Sequence, residues 1–155
     1  MRHLRTRPLT VERIAQAFPL VQASLPHVTL EAWQDFASAL VSRAEPPHSG
    51  IMTVISEREY IAGLCSYQID HDLVHGLRLT ADNFLAFDLL DRRLVAHALA
   101  EGLESLARDL RCTAVHTHLL HTDPVNPARG GGLVDILSTR GHRVESIGMC
   151  KLLPP

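Results

Sequence analysis

Aromatic residues make up only 5% of the chain. A core cannot be built from stacked rings here and must rest on Leu, Val, Ile and Ala. Cysteine is nearly as scarce. Cys65, Cys112 and Cys150 are far apart and odd in number, and no CxxC pair occurs. That excludes a disulfide framework and points to reduced thiols, as expected of a cytoplasmic protein. Each cysteine sits in an apolar, strand-like run, where it acts as a small hydrophobe. Basic charge is not in surplus either: the formal net charge is −2. Nucleic acid is therefore not an expected partner. Arg2, Arg5 and Arg7 read as the solvated face of a first strand. No run approaches the roughly 18 apolar residues of a membrane-spanning helix, and the N-terminus shows no apolar signal core. Walker and GxGxxG phosphate loops are also missing.

What is present suits one domain, residues 1–155. The chain is 46% hydrophobic and 21% charged, and a chain of this length buries roughly 70% of its unfolded surface. There is no internal repeat and no linker. Arg2 to Leu9 reads as a first strand. Thr10 is placed to cap a helix from Val11 to Ser24, ended by Pro26. Thr29 starts a second helix, with Leu30, Trp33, Phe36, Ala37, Leu40 and Val41 on one face. Glu45 to Gly50 is a loop by its Pro and Gly content. Ile51–Ser56 and Tyr60–Ile69 form a hairpin about Glu57–Glu59, and Asp70-His71-Asp72 reads as the next turn. Leu73–Thr80 fits either sheet or loop, and Asn83–Leu90 is strand-like. Asp91 caps the longest helix, whose apolar stripe runs from Leu94 to Leu110. His97 lies on its polar side. Cys112–Leu120 is a strand and His121–Gly132 a loop. Leu133–Gly141 is a short helix stopped by Gly141, and Val144–Leu153 is a last strand. The class is α+β with a mixed sheet, in the order β-α-α-β-β-β-α-β-α-β.

Three segments resemble the GNAT acyltransferase superfamily. Phe84 to Leu119 resembles its strand–helix–strand core. Aligning the helix stripes puts Asp91 at the motif's Arg/Gln position, Leu94 at its first glycine and Ala96 at its second small residue; only Ala96 fits the pattern. Ile136 to Leu153 resembles the closing helix, corner and strand, with Gly141-His142 and Met149-Cys150-Lys151 in place of Gly-Phe and Met-x-Lys. The third is the two-helix segment between the first and second strands.

The resemblance implies a GNAT-like fold and acetyl-CoA, or another acyl-CoA, as cosubstrate of an N-acyltransferase. The acceptor would be a small-molecule or peptide amine that attacks the thioester directly. The amides of Arg92, Arg93, Leu94, Val95 and Ala96 would hold the pyrophosphate, because a helix N-terminus presents unpaired donors and a favourable dipole. Asp91 would repel it if turned inward, and the two arginines would offset that charge. The competing reading is an ordinary capped helix with solvated arginines. Main-chain groups of Phe87, Asp88 and Leu89 would steer the acyl and pantetheine part, and Asn126 would lie near the pantetheine arm. No metal is expected, and a homodimer is, since family members often dimerise.

Acyl transfer needs a base for the amine, an oxyanion partner and an acid for the thiolate. Asp82 is the first candidate base. His118 is the first choice among the histidines for acid–base work. The family often meets the thiolate with a tyrosine in the closing helix; Leu137 stands there, and Tyr60 and Tyr67 lie elsewhere. Asp70, Asp72 and Asp82 would favour a cationic amine if they share a cleft, and Tyr67 would line the acceptor pocket. His116 and His118 share a strand face, so with Asp123 nearby they offer a zinc alternative. Gly130 to Gly132 is either a phosphate loop or a flexible linker. Loss of the motif glycines and of the tyrosine keeps a second possibility open: a GNAT-like binding or interaction module without turnover.

Overall fold

The computed structural model describes residues 3–42, 48–87, 91–119 and 132–155. They form strands β1 (Arg5–Pro8), β2 (Ser49–Ile55), β3 (Ile61–Asp72), β4 (Gly76–Ala86) and β5 (Ala114–Thr117), with helices α1 (Phe18–Ser24), α2 (Leu30–Val41), α3 (Arg92–Asp109) and α4 (Leu133–Thr139). The strands lie side by side in chain order. Neighbours are antiparallel except β4 and β5, which are joined through α3 and run parallel. A parallel pair needs such a crossover.

Two cores flank the sheet. On one face α3 and α4 cover Met52, Val54, Cys65, Leu79, Ala81 and Phe84. On the other, α1 and α2 cover Ile51, Leu64 and Leu85. Trp33 of α2 is buried there, and its indole nitrogen donates to the Ile14 carbonyl at 2.7 Å. Helix α3 approaches the sheet closely because two residues lack side chains. A Cβ on Gly63 would meet Val95 Cγ1 at 2.6 Å, and one on Gly102 would meet Thr6 Cγ2 at 3.0 Å.

The first helix is shorter than its periodicity suggests. Val11–Arg13 and Ala15–Ala17 are separate 3-10 turns, and α1 begins only at Phe18. Pro19 is the reason: proline has no N–H to give and clashes with the carbonyl four residues back, so it fits only in a helix's first turn. Thr10 makes no capping hydrogen bond, whereas Thr29 Oγ1 accepts from Ala32 N at 3.1 Å as expected. Asp70-His71-Asp72 belongs to β3 and is not the turn; the chain reverses over residues 73–75, before Gly76 at φ +75°. His97 is half-buried, not fully solvated. Gly141, at φ +90°, ends α4 in a Schellman motif: His142 N donates to Leu137 O and Gly141 N to Ser138 O, each at 3.0 Å.

The expected last strand is not formed. Residues 144–153 carry no ladder to any described strand. Period-2 patterning marks a segment able to lie in a sheet, but a strand needs a partner along its length, and β5 is only four residues long. Val144, Ile147, Met149, Leu152 and Leu153 are left exposed.

Candidate active site

The parallel register of β4 and β5 runs from Arg78 opposite Ala114 to Ala81 opposite Thr117. One more bond, His118 N to Ala81 O at 2.8 Å, closes it. Strand β4 continues for five residues while β5 stops, so the two strands part at Asp82. At the base of that fork His118 Nδ1 lies 2.6 Å from Asp82 Oδ1. Both side chains are about half exposed (58% and 48%), so a substrate can reach them. The two acid–base candidates, proposed separately from the sequence, are thus brought into hydrogen-bond contact.

A bulge shapes this point. The register passes from Leu64 opposite Leu85 to Ser66 opposite Asp82, so Asn83 and Phe84 face the single residue Cys65. Asn83 takes φ +55° to accommodate it, a conformation that asparagine tolerates better than most residues. Its side-chain amide donates to Ser66 Oγ at 3.0 Å, and Ser66 Oγ donates to the Asp82 carbonyl at 2.9 Å. Cys65 Sγ donates to the same carbonyl at 3.2 Å. Burial pushes the Cys65 thiol far up, with the nearby Asp82 charge adding to it. Ser66 and Asn83 therefore fix the backbone that carries Asp82. Neither stood out in the sequence, because a bulge leaves no compositional mark beyond an asparagine inside a strand.

Upstream of the bulge, Ser66, Gln68 and Asp70 of β3, Arg78, Thr80 and Asp82 of β4, and His116 of β5 face one another through the registers. Their face lies opposite the α3 core. Asp70 and Asp72 do share it with Asp82, but both are engaged by Arg78, at 2.8 Å from Asp70 Oδ1 and 3.0 Å from Asp72 Oδ1. The backbone amide of His75, then Arg78, hold the Asp72 carboxyl below its ordinary range. Asp82 is the carboxylate of this group paired with a neutral-capable partner. Tyr67 is buried on the α3 side against Gly50, and burial raises its hydroxyl pKa; it does not border the polar face. Beside the bulge, between α1, α2 and the sheet, lies a cavity of about 240 Å³ lined by Val21, Leu25, Trp33, Phe36, Asn83 and Leu85. A larger one of about 860 Å³ lies between the tail at residues 142–148 and the outer edge of β5, which pairs with no described strand, with Val115, His116, His118, Leu119 and Leu137 on its wall.

The N-terminus of α3 is already capped. Asp91 Oδ1 accepts from Arg93 N at 3.1 Å and Leu94 N at 3.2 Å. A helix leaves only its first four amides unpaired, and with Asp91 as N-cap these are the amides of Asp91, Arg92, Arg93 and Leu94. Val95 and Ala96 are fully buried, and their amides belong to the helical ladder. Arg92 is half-buried with Nε unpartnered among the described residues, while Arg93, Leu94 and Phe87 are exposed. An anion can use the amides of Arg93 and Leu94 only by displacing the Asp91 carboxylate. Leu137, where the family often has a tyrosine, is buried. Asp88, Leu89, Asn126, His121, Asp123 and Gly130 and Gly131 lie outside the described residues.

No family model matches the chain, and no curated protein matches it in sequence. Solved structures do match. The aminoglycoside N-acetyltransferase AAC(6')-Iy, in complex with CoA, superposes with a TM-score of 0.71 at 13% identity, over 98% of this chain and 96% of that one. Glucosamine-6-phosphate N-acetyltransferase from Arabidopsis thaliana gives 0.71 at 16% identity, over 98% and 99%. A transcriptional regulator from Bacillus halodurans gives 0.74 at 12% identity, over 97% and 100%. The chain has the GNAT acyltransferase fold. No helix among the described residues is long and apolar enough to cross a membrane.

Proposed function

We propose that the protein is an acyl-CoA-dependent N-acyltransferase, with acetyl-CoA the first cosubstrate to test and a small-molecule or peptide amine as acceptor. The observation that carries this reading is the Asp82–His118 pair at the fork of β4 and β5, in a fold whose solved examples include a CoA complex. A carboxylate holding Nδ1–H leaves the other imidazole nitrogen as a base. His118 takes the proton as the amine nitrogen bonds to the thioester carbonyl carbon, and Asp82 steadies the imidazolium. The C–S bond then breaks, and water or the imidazolium protonates the thiolate, since Leu137 cannot. Arg92, Arg93 and the first amides of α3 favour the phosphates of the cosubstrate, and the apolar cavity beside Asn83 suits a hydrophobic part of the acceptor.

A non-catalytic module is the second reading, and the Asp91 cap on Arg93 and Leu94 favours it. The thermal midpoint with acetyl-CoA, free CoA and AMP separates the two. At 100 times its dissociation constant a ligand adds about 2.7 kcal/mol. A rise with both CoA species but not with AMP supports the enzyme and calls for an amine screen that follows thiol release. No rise at millimolar CoA assigns the module. The homodimer belongs to this proposal too: a second copy would cover the open β5 edge and the apolar tail, and sedimentation equilibrium would give twice the monomer mass.

A further inference from the structure

Asp72 ends β3, His75 sits in the turn after it, and His116 lies on β5, with one potential ligand atom from each within 4.8 Å of the others. The arrangement is held before any ligand arrives. His75 N donates to Asp72 Oδ2 at 2.9 Å, Thr113 Oγ1 ties the turn to β5 through the His75 carbonyl, and the two imidazoles meet edge to face with centroids 5.2 Å apart. His116 lacks good partners. Its Nε2 is buried with none among the described residues, and its Nδ1 has only Arg78 at 3.5 Å, the outer limit for a hydrogen bond. His75 Nε2 meets Glu145 Oε1 at 2.5 Å. Two carboxylates contact the pair: Asp72 accepts from the His75 amide and Glu145 meets the His75 ring, while Arg78 bonds Asp72 from the side of β4.

We infer that Asp72, His75 and His116 form a binding site for a divalent transition ion of the zinc class, with Glu145 either completing it or orienting His75. Two imidazoles and a carboxylate suit zinc and its neighbours rather than magnesium or calcium. Past His142, the Glu145–His75 contact is the tail's one side-chain bond to the sheet among the described residues. The ion would clamp that tail to the β3–β4 turn and β5. This site differs from the zinc alternative read in the sequence, since His118 is committed to Asp82.

The full-length protein, stripped of metal by chelator, is titrated with Zn²⁺ by calorimetry and melted with and without it, with Mg²⁺ as control. One equivalent should bind, raising the midpoint by several degrees at saturating Zn²⁺, and Co²⁺ should give a visible d–d band of low coordination number. His75→Ala and His116→Ala should each weaken binding at least 100-fold, Glu145→Gln about 10-fold, and His118→Ala not at all. Near-ultraviolet circular dichroism checks that each variant is folded; should His116→Ala unfold, His75→Ala in the turn carries the test. No stoichiometric Zn²⁺ binding, or equal affinity in folded His75→Ala, overturns the inference.

Discussion

His118 and Asp82 each do one job in the proposed reaction, and the two substitutions should differ. His118→Ala removes the base and should lower kcat/KM about 10²- to 10⁴-fold with little change in stability, because the ring is more than half exposed. Asp82→Asn keeps the imidazole but no longer favours its proton on Nδ1, so a smaller loss, mainly in kcat, is expected. Steady-state rates with one amine and varied acetyl-CoA measure both. If the two variants turn over normally, the pair is not the base. Cys65 makes a second prediction. Its native pKa is raised by burial above the roughly 8.5 of an unfolded thiol. Below that pH both states keep the proton. Above it only the unfolded chain loses it, so stability falls by about 1.4 kcal/mol per pH unit. Urea melts at pH 8 and 10 should show this slope in the native chain and a shallower one in Cys65→Ala. Native-state alkylation should label exposed Cys150 and spare Cys65.

Among the elements, α3 carries a direct conflict between stability and ligand binding. Asp91→Ala should cost about 0.5–2 kcal/mol by removing the cap, while tightening CoA binding by freeing the amides of Arg93 and Leu94 and deleting a like charge. Paired thermal and calorimetric measurements test both signs; weaker CoA binding in this variant would move the phosphate site away from α3. Gly63→Ala should cost about 1–3 kcal/mol, since the new methyl enters the space of Val95 Cγ1 in a packed core, readable as a lower Tm. The elements also show what was legible. Helix α3, its Asp91 cap and the Gly141 stop follow from periodicity and end chemistry, which are local. The break at Pro19 was equally local but hidden under an apolar period that ran through it. The turn at residues 73–75 was obscured because Asp70 and Asp72, which read as turn residues, are strand carboxylates held by Arg78. Neither the Asp82–His118 contact nor the Asp72–His75–His116 group was legible. His116 and His118 lie 36 to 44 positions from their partners, and the β4–β5 register brings them together.

For the molecule as a whole, the fold is the shared property and the chemistry is local. Chains at 12–16% identity take this shape, and among them are proteins named as acetyltransferases and one named as a regulator, so shape alone does not decide turnover. In this chain the local features are the pairing at the fork, the capped helix α3 and a tail that pairs with no described strand. The thermal response to CoA species tests the whole assembly at once.

The bulge at Asn83 has a consequence for how this sequence can change. Before it, odd-numbered Leu79 and Ala81 enter the α3 core; after it, even-numbered Phe84 and Ala86 do, and Leu85 turns to the other side. Asn83 thus acts as a phase shift in the strand. Deleting that one residue would exchange the faces of Phe84, Leu85 and Ala86 together, sending a phenyl ring towards α2 and Leu85 into α3. A polar loop residue elsewhere could be lost at little cost, whereas this half-exposed asparagine, held at positive φ, should accept glycine or aspartate and no deletion.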